Sequence, residues 1–286
     1  MNIGVDLGGT KIKAGVEMNG AVIKQETILL QDKDSLSSTL QQLIDLIKPL
    51  MAYSVNSIGI GVPSVVDTEK GIVYDVTNIP SWKKVDLKDI LQQEFNVPVF
   101  VNNDVNCFTL GESRFGLAQG FSSVVGVTTG TGLGSGIIIN NQLYVGNNCG
   151  AGEIGLLPYL DQNLEYYTSN NFFEAIHGIT ALEANHAAMA GNKIAIDLWD
   201  QFGKHLGTAI KTIMYAYDPQ AIVLGGSLSK AYPFFEKGMY HALGDFSFPE
   251  SLKRLKIFVS QDENISLLGA AALIPNNYDN VLLKDR

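Results

Sequence analysis

The sequence predicts an α/β protein with mixed sheets, built from two related halves. Two stretches carry that reading. Met1 to Leu30, MNIGVDLGGTKIKAGVEMNGAVIKQETILL, reads as strand, glycine turn, strand, Asn-Gly turn, strand. Ser122 to Val145, SSVVGVTTGTGLGSGIIINNQLYV, repeats the order with a Gly/Thr turn and an Asn-Asn turn. Helical and strand periodicities alternate after each triplet, so the chain reads βββαβα twice, with insertions in the second copy. The duplication predicts two glycine loops facing each other across a cleft.

The elements follow in order. Asn2 to Leu7 is a buried strand, Lys11 to Glu17 a second and Ala21 to Leu30 a third. Ser35 to Met51 carries Leu36, Leu40, Leu43, Ile44, Ile47 and Met51 at helical spacing, with Pro49 near its close. Asn56 to Val62 is a short strand leading into Pro63-Ser64, and Thr68 to Lys84 is loop-rich with a strand at Gly71 to Val76. Asp86 caps a helix through Glu94; Val97 to Val101 is a strand ending in Asn102-Asn103-Asp104, and a helix runs from Val105 to Phe115. In the second half, a Gly-rich segment (Gly146 to Gly155) and a polar loop (Pro158 to Asn171) precede helices at Phe172 to Ala190 and Ile194 to Tyr217. Ala221 to Leu224 is a strand entering Gly225-Gly226-Ser227, followed by a helix at Pro233 to Leu243. A strand at Leu255 to Val259 and an apolar helix at Ile265 to Ile274 close the pattern.

Composition narrows the partners. At 286 residues, the chain has length for one large or two modest domains; 46% hydrophobic and 17% charged residues fit a soluble globular protein. A net charge of −9 without a Lys/Arg tract argues against nucleic acid, whose phosphates demand neutralisation. Cys107 and Cys149 make no metal spacing and point to a reduced, cytoplasmic setting. No stretch nears the length of a membrane span, and no leader is expected before the first strand.

Several loops carry candidate chemistry. In Asp6-Leu7-Gly8-Gly9-Thr10, the two glycines let the backbone turn with N–H groups outward toward phosphate, and Asp6 at its mouth suits a hydrated cation. A plain β-turn is the competing reading. Thr128 to Gly136 (TTGTGLGSG) superficially matches a dinucleotide fingerprint, but Ile137-Ile138-Ile139 continues it as a strand where that site needs a helix. A hairpin loop donating to phosphate fits better. Asp104 is either a helix N-cap or a carboxylate at the carboxyl edge of a sheet, where open α/β proteins place ligands. Glu153 lies among too many glycines for a helix, and Glu174 begins one. The four histidines sit singly in helices without metal spacing.

Taken together, DLGGTK at 6–11, NIPSW at 78–82, VNNDVN at 101–106, TTGTGLGSG at 128–136, GAGEIG at 150–155 and VLGGS at 223–227 resemble the ROK family of sugar kinases and repressors. The resemblance runs from Asn2 to about Leu273 and implies a two-lobed, ribonuclease H-like (actin-like ATPase) fold with central mixed sheets. It implies a small lobe of residues 1–107 plus 266–286 and a large lobe of 108–265, and a homodimer. By the resemblance, Gly8, Gly9, Thr10 and Lys11 with Gly130, Thr131 and Gly132 hold the phosphates of ATP, and Gly225 and Gly226 flank its adenosine. Asp6 would position Mg²⁺ through water, Asp104 would be the catalytic base, and Asn78, Asn103, Glu153 and Glu174 would bind the sugar hydroxyls. The chain departs from the family at Leu156, where a His is usual, and in Tyr166 to Phe173, which lacks the usual cysteines. No zinc is therefore expected, and glucose-type recognition is not carried over.

The activity implied is ATP-dependent phosphorylation of a hexose or N-acetylhexosamine, glucokinase-like, at the 6-OH. The alternatives are a sugar-sensing transcriptional regulator and a sugar-binding protein that has lost catalysis. Family repressors carry a DNA-binding extension before the core; none is expected here.

Overall fold

The computed structural model describes residues 1–274; the part of the expected small lobe beyond them lies outside the described residues. The chain divides into two compact units, Met1–Gly116 with Val145–Ala151 and the segment from Asp262, and Leu117–Tyr144 with Gly152–Gln261.

The first unit opens with β1 (Asn2–Leu7), β2 (Lys11–Met18) and β3 (Ala21–Leu29), then α1 (Leu36–Ile47) and β4 (Ser57–Val62). Three short strands, β5 (Val65–Asp67), β6 (Ile72–Tyr74) and β7 (Lys84–Val85), make a small antiparallel sheet. α2 (Leu87–Phe95), β8 (Val99–Asn103) and α3 (Asp104–Arg114) follow. The main sheet has the order β3-β2-β1-β4-β8, antiparallel across the first three strands and parallel from β1 to β8.

Alternation in β1 and β4 explains how this sheet is covered. Ile3, Val5 and Leu7, with Ile58, Ile60 and Val62, turn one face into the core. On the opposite face Gly4 pairs with Gly15 of β2 and Gly59 of β4, a row of three glycines. A Cβ on Gly4 would lie 1.9 Å from the carbonyl oxygen of Leu267, and one on Gly59 1.8 Å from that of Ala270. The row seats α9 (Ile265–Ala271), the last helix of the chain, on the sheet backbone to backbone. The sequence expects this helix to return to the first lobe; it does so, ending at Ala271 rather than Ile274.

The second unit repeats the topology. β9 (Val124–Thr129), β10 (Leu133–Ile139) and β11 (Gln142–Leu143) form the antiparallel triplet. β12 (Pro158–Tyr159), β13 (Gln162–Asn163), α4 (Leu164–Thr168), α5 (Ala181–Met189) and α6 (Lys193–Tyr217) come next. β14 (Ala221–Gly225), α7 (Tyr232–Leu243), α8 (Pro249–Arg254) and β15 (Lys256–Val259) complete the unit. The sheet order β11-β10-β9-β14-β15 matches the first sheet strand for strand, with the same antiparallel-to-parallel change. α6 and α7 pack closely through Gly203 and Gly238, and Trp199, Phe202 and Phe235 interlock in the core.

Two expectations need correcting here. The helix expected over Phe172 to Ala190 is broken: a π-helical turn at Phe172–Ile176 ends near Gly178 (φ +66°), and Thr180 starts α5 with a capping box to Glu183. The polar loop expected over Pro158 to Asn171 is instead folded into the β12–β13 hairpin and α4, because Asn163 caps that helix through the Tyr166 N–H at 2.9 Å. α8 was not expected from the sequence.

Candidate active site

In the first unit, the carboxyl ends of the parallel strands bring two carboxylates together. Asp6 on β1 pairs with Gly61 on β4, and Gly61 pairs with Asn102 on β8. A Cβ on Gly61 would lie 3.2 Å from the Asp104 Cα and 3.1 Å from the Cys107 sulfur. A side chain at position 61 would thus crowd the start of α3; glycine leaves it open. Burial pushes the Cys107 thiol well up, and the charges of Asp104 and then Asp6 push it further, so both carboxylates bear on one point. Burial likewise raises the proton affinity of Asp6, while Lys13 and Lys11 oppose the rise.

The helix cap belongs to Asn103 rather than to Asp104. The Asn103 Oδ1 accepts from the N–H of Val105 at 2.8 Å and of Asn106 at 3.3 Å, and its Nδ2 donates to the Ser64 carbonyl at 3.4 Å. Asp104 is the first helical residue, where the helix dipole favours an anion, and its Oδ1 accepts from the Val105 N–H at 2.9 Å. Behind it, Asn102 is buried: its Oδ1 takes bonds from the Asn103 N–H, the Asn106 amide and the Cys149 thiol. The glycine turn stands beside Asn78, since a Cβ on Gly9 would lie 2.3 Å from the Asn78 Cβ. Gly8 donates its N–H to the Lys11 carbonyl at 3.0 Å, so that group closes the turn. Asn78 itself is exposed, on a loop pinned by the buried Ile79 and Trp82.

In the second unit, both glycine loops pack together. A Cβ on Gly226 (φ +85°) would lie 2.3 Å from the Thr129 carbonyl oxygen, and one on Gly130 3.0 Å from the Ser227 Oγ. A cavity of about 400 Å³ opens beside them, with Glu174, Thr180, Asn185, Trp199, Ser227 and Lys230 in its lining. Glu174 therefore stands with the 225–227 turn. Glu153 is exposed, yet surrounding protein desolvates its carboxylate enough to raise its pKa, and Glu165 adds to the rise.

The comparisons with known proteins agree on one family: the ROK family model matches residues 2–277. The chain belongs to the ROK family. A glucokinase of Thermotoga maritima is 27% identical, the match covering 95% of this chain and 96% of that protein. A xylose repressor of Bacillus spizizenii is also 27% identical, over 98% of this chain and 78% of the repressor. The crystal structure of a ROK family glucokinase from Streptomyces griseus, in complex with glucose and AMPPNP, superposes with a TM-score of 0.79 at 26% identity, over 95% of this chain and 98% of that one. The fold is thus the two-lobed ROK fold, of actin-like ATPase type.

This ROK chain offers hard oxygen donors at Asp6, a fit for hydrated Mg²⁺. Position 156 is Leu, and Tyr166 to Phe173 holds no thiol; among the described residues no group of three or more His, Cys, Asp or Glu that could hold a metal ion occurs. The Tyr159 hydroxyl meets the His205 Nδ1 at 3.0 Å, and Tyr167 packs on the same ring. Sequence reasoning missed Glu165 and the cavity residues Thr180 and Lys230. Asn163 followed by Leu-Glu-Tyr-Tyr-Thr was the available signal for the helix that carries Glu165. No helix among the described residues is long and apolar enough to cross a membrane.

Proposed function

We propose that this ROK protein is an ATP-dependent sugar kinase, transferring a phosphoryl group to the 6-OH of a hexose or N-acetylhexosamine. The observation that carries the reading is the placement of Asp6 and Asp104 on either side of Gly61, next to strand ends and a glycine turn. Asp104, held at the first position of α3 by the Asn103 cap, accepts the proton of the attacking hydroxyl, a step worth roughly 10²–10⁴ in rate. Asp6 is the residue that would hold a hydrated magnesium ion, which when bound neutralises phosphate charge. The turns at Gly8–Lys11 and Gly130–Gly132 take the phosphates. The cavity beside Gly225, Gly226 and Ser227 has room for the adenosine.

Asn78 and Glu153 are assigned to the sugar hydroxyls, with Asn103 chiefly keeping Asp104 in place. Glu174 is assigned to the sugar by the resemblance, and its place on the cavity wall offers its carboxylate to ribose hydroxyls as well. Positioning and charge do most of the work in such a transfer. A coupled assay of ADP release, with MgATP and a panel of hexoses and N-acetylhexosamines, is expected to show turnover on at least one sugar. Sugar binding without turnover on any of them would select the second reading, a sugar-sensing regulator, which the identity to a xylose repressor favours.

A further inference from the structure

We propose that Cys149 is a positioning residue: its thiol plugs the Val145–Ala151 loop into the first unit and braces, from behind, the strand-to-helix turn that presents Asp104. The catalytic consequence rests on the kinase reading; the brace itself rests on geometry. Val145–Ala151 packs in the first unit, although the chain on both sides of it belongs to the second. The Ala151 N–H donates to the Val145 carbonyl at 3.2 Å, closing the loop on itself, and Gly146 (φ +72°) turns it. Asn147 and Asn148 are exposed, and Cys149 is the one residue of this loop that is buried. It takes φ +56°, a left-handed backbone that glycine adopts freely and a residue with a Cβ resists. A cysteine kept there against its own backbone preference is kept by its side chain.

That side chain closes a triangle. The Cys149 thiol donates to the Asn102 Oδ1 at 3.4 Å and accepts from the Asn106 Nδ2 at 3.6 Å. The same Nδ2 donates to the Asn102 Oδ1 at 2.9 Å. The Asn106 Oδ1 has no partner among the described residues, so this buried amide is fixed through its Nδ2 alone, by Asn102 and Cys149. Asn102 lies at the end of β8 and Asn106 in the first turn of α3, with Asn103 and Asp104 between them. The triangle therefore spans the junction whose geometry sets both the Asn103 cap and the Asp104 carboxylate. In a buried polar network each bond restrains its neighbours. Without the sulfur, the Asn106 amide loses one of its two partners and the loop loses its buried anchor.

Cys149→Gly, Cys149→Ala and Cys149→Ser separate backbone from side chain. Gly removes the backbone strain together with the thiol, so a cysteine that only filled space would lose little by it. Gly and Ala are expected to lower kcat by ~10-fold to ~100-fold, the scale on which a small misplacement of a reacting group acts, with the KM for ATP little changed. Ser keeps a donor and an acceptor and should restore most of kcat. Hydrogen exchange at the Val105 and Asn106 amides, which the Asn103 Oδ1 holds, is the readout independent of activity: faster in Gly and Ala, close to the parent in Ser. Wild-type protein that turns over no sugar would overturn the kinase reading, while faster exchange in Gly and Ala would still support the brace. Unchanged kcat and unchanged exchange in both Gly and Ala would overturn the role of Cys149, and so would a lower thermal midpoint with neither of them altered.

Discussion

Gly269 of α9 lies directly against the carbonyl oxygen of Cys107 on α3: a Cβ there would come within 1.7 Å of it. Gly111 of α3 meets the Ile265 carbonyl in the same manner, at 2.1 Å. Together with the Gly15–Gly4–Gly59 row, these contacts press two helices and a sheet to backbone distance, and Cys107 lies one helical turn on from Asp104. The arrangement that positions Asp104 is therefore sensitive to a single methyl group.

Gly269→Ala and Gly59→Ala are accordingly expected to destabilise the protein by about 1–3 kcal/mol each through overpacking against backbone. Scanning calorimetry should show the midpoint several degrees lower. An unchanged midpoint in both variants would mean that α9 does not sit on the glycine row.

Asp104→Asn should keep the fold and nucleotide binding while turnover falls at least ~100-fold, the low end of general-base effects. The amide preserves the oxygen that accepts from Val105, so the start of α3 survives. Retention of more than about a tenth of the activity would remove Asp104 from the role of base.

Glu153 gives a pH dependence whose sign follows from its environment. Desolvation and then the Glu165 charge raise its pKa, so the ionised form proposed to accept sugar hydroxyls is lost as pH falls through a midpoint above the ordinary glutamate range. The kcat/KM for sugar should drop on that acid limb, and Glu165→Gln should move the limb to lower pH. The linkage to stability runs the other way. A folded-state pKa above the unfolded value contributes stability that is full below the unfolded pKa and is lost as pH rises through the folded one. Glu153→Gln is therefore expected to be at least as stable as the parent at neutral pH. An acid limb in the usual carboxylate range would count against this assignment.

Protein purified without added metal should contain well under one zinc per chain by elemental analysis, and chelation should leave its thermal midpoint in place. The reasoning is the donor set: Leu156, the thiol-free stretch from Tyr166 to Phe173, and a Tyr159–His205 contact in that region. Stoichiometric zinc lost together with stability would overturn it.

The amino-acid sequence by itself determined the duplicated topology. Strand alternation and paired turn residues are local properties, so NIGVDLGGTKIKAGVEMNG and VVGVTTGTGLGSGIIINN announce their hairpins without any distant partner. Much of the first half-site was legible too, because strand ends followed by Gly-Gly-Thr or Asn-Asn-Asp place Asp6 and Asp104 at a sheet edge before any packing is known. Tertiary structure decided the rest. Asn103 and Asp104 are both good capping residues, and only the fitted helix start chose Asn103. The break after Phe172–Ile176 arises where Gly178 takes a positive φ and Thr180 restarts the helix, a competition that helical periodicity does not register. The glycines of the Gly15–Gly4–Gly59 row read in sequence as weak strand residues; their use appears only when α9, more than two hundred residues further along, lies across them. Glu165 is the same case: its wedge between Gly132 and Gly155 is made of three segments, and a contact among distant segments leaves no period in any one of them.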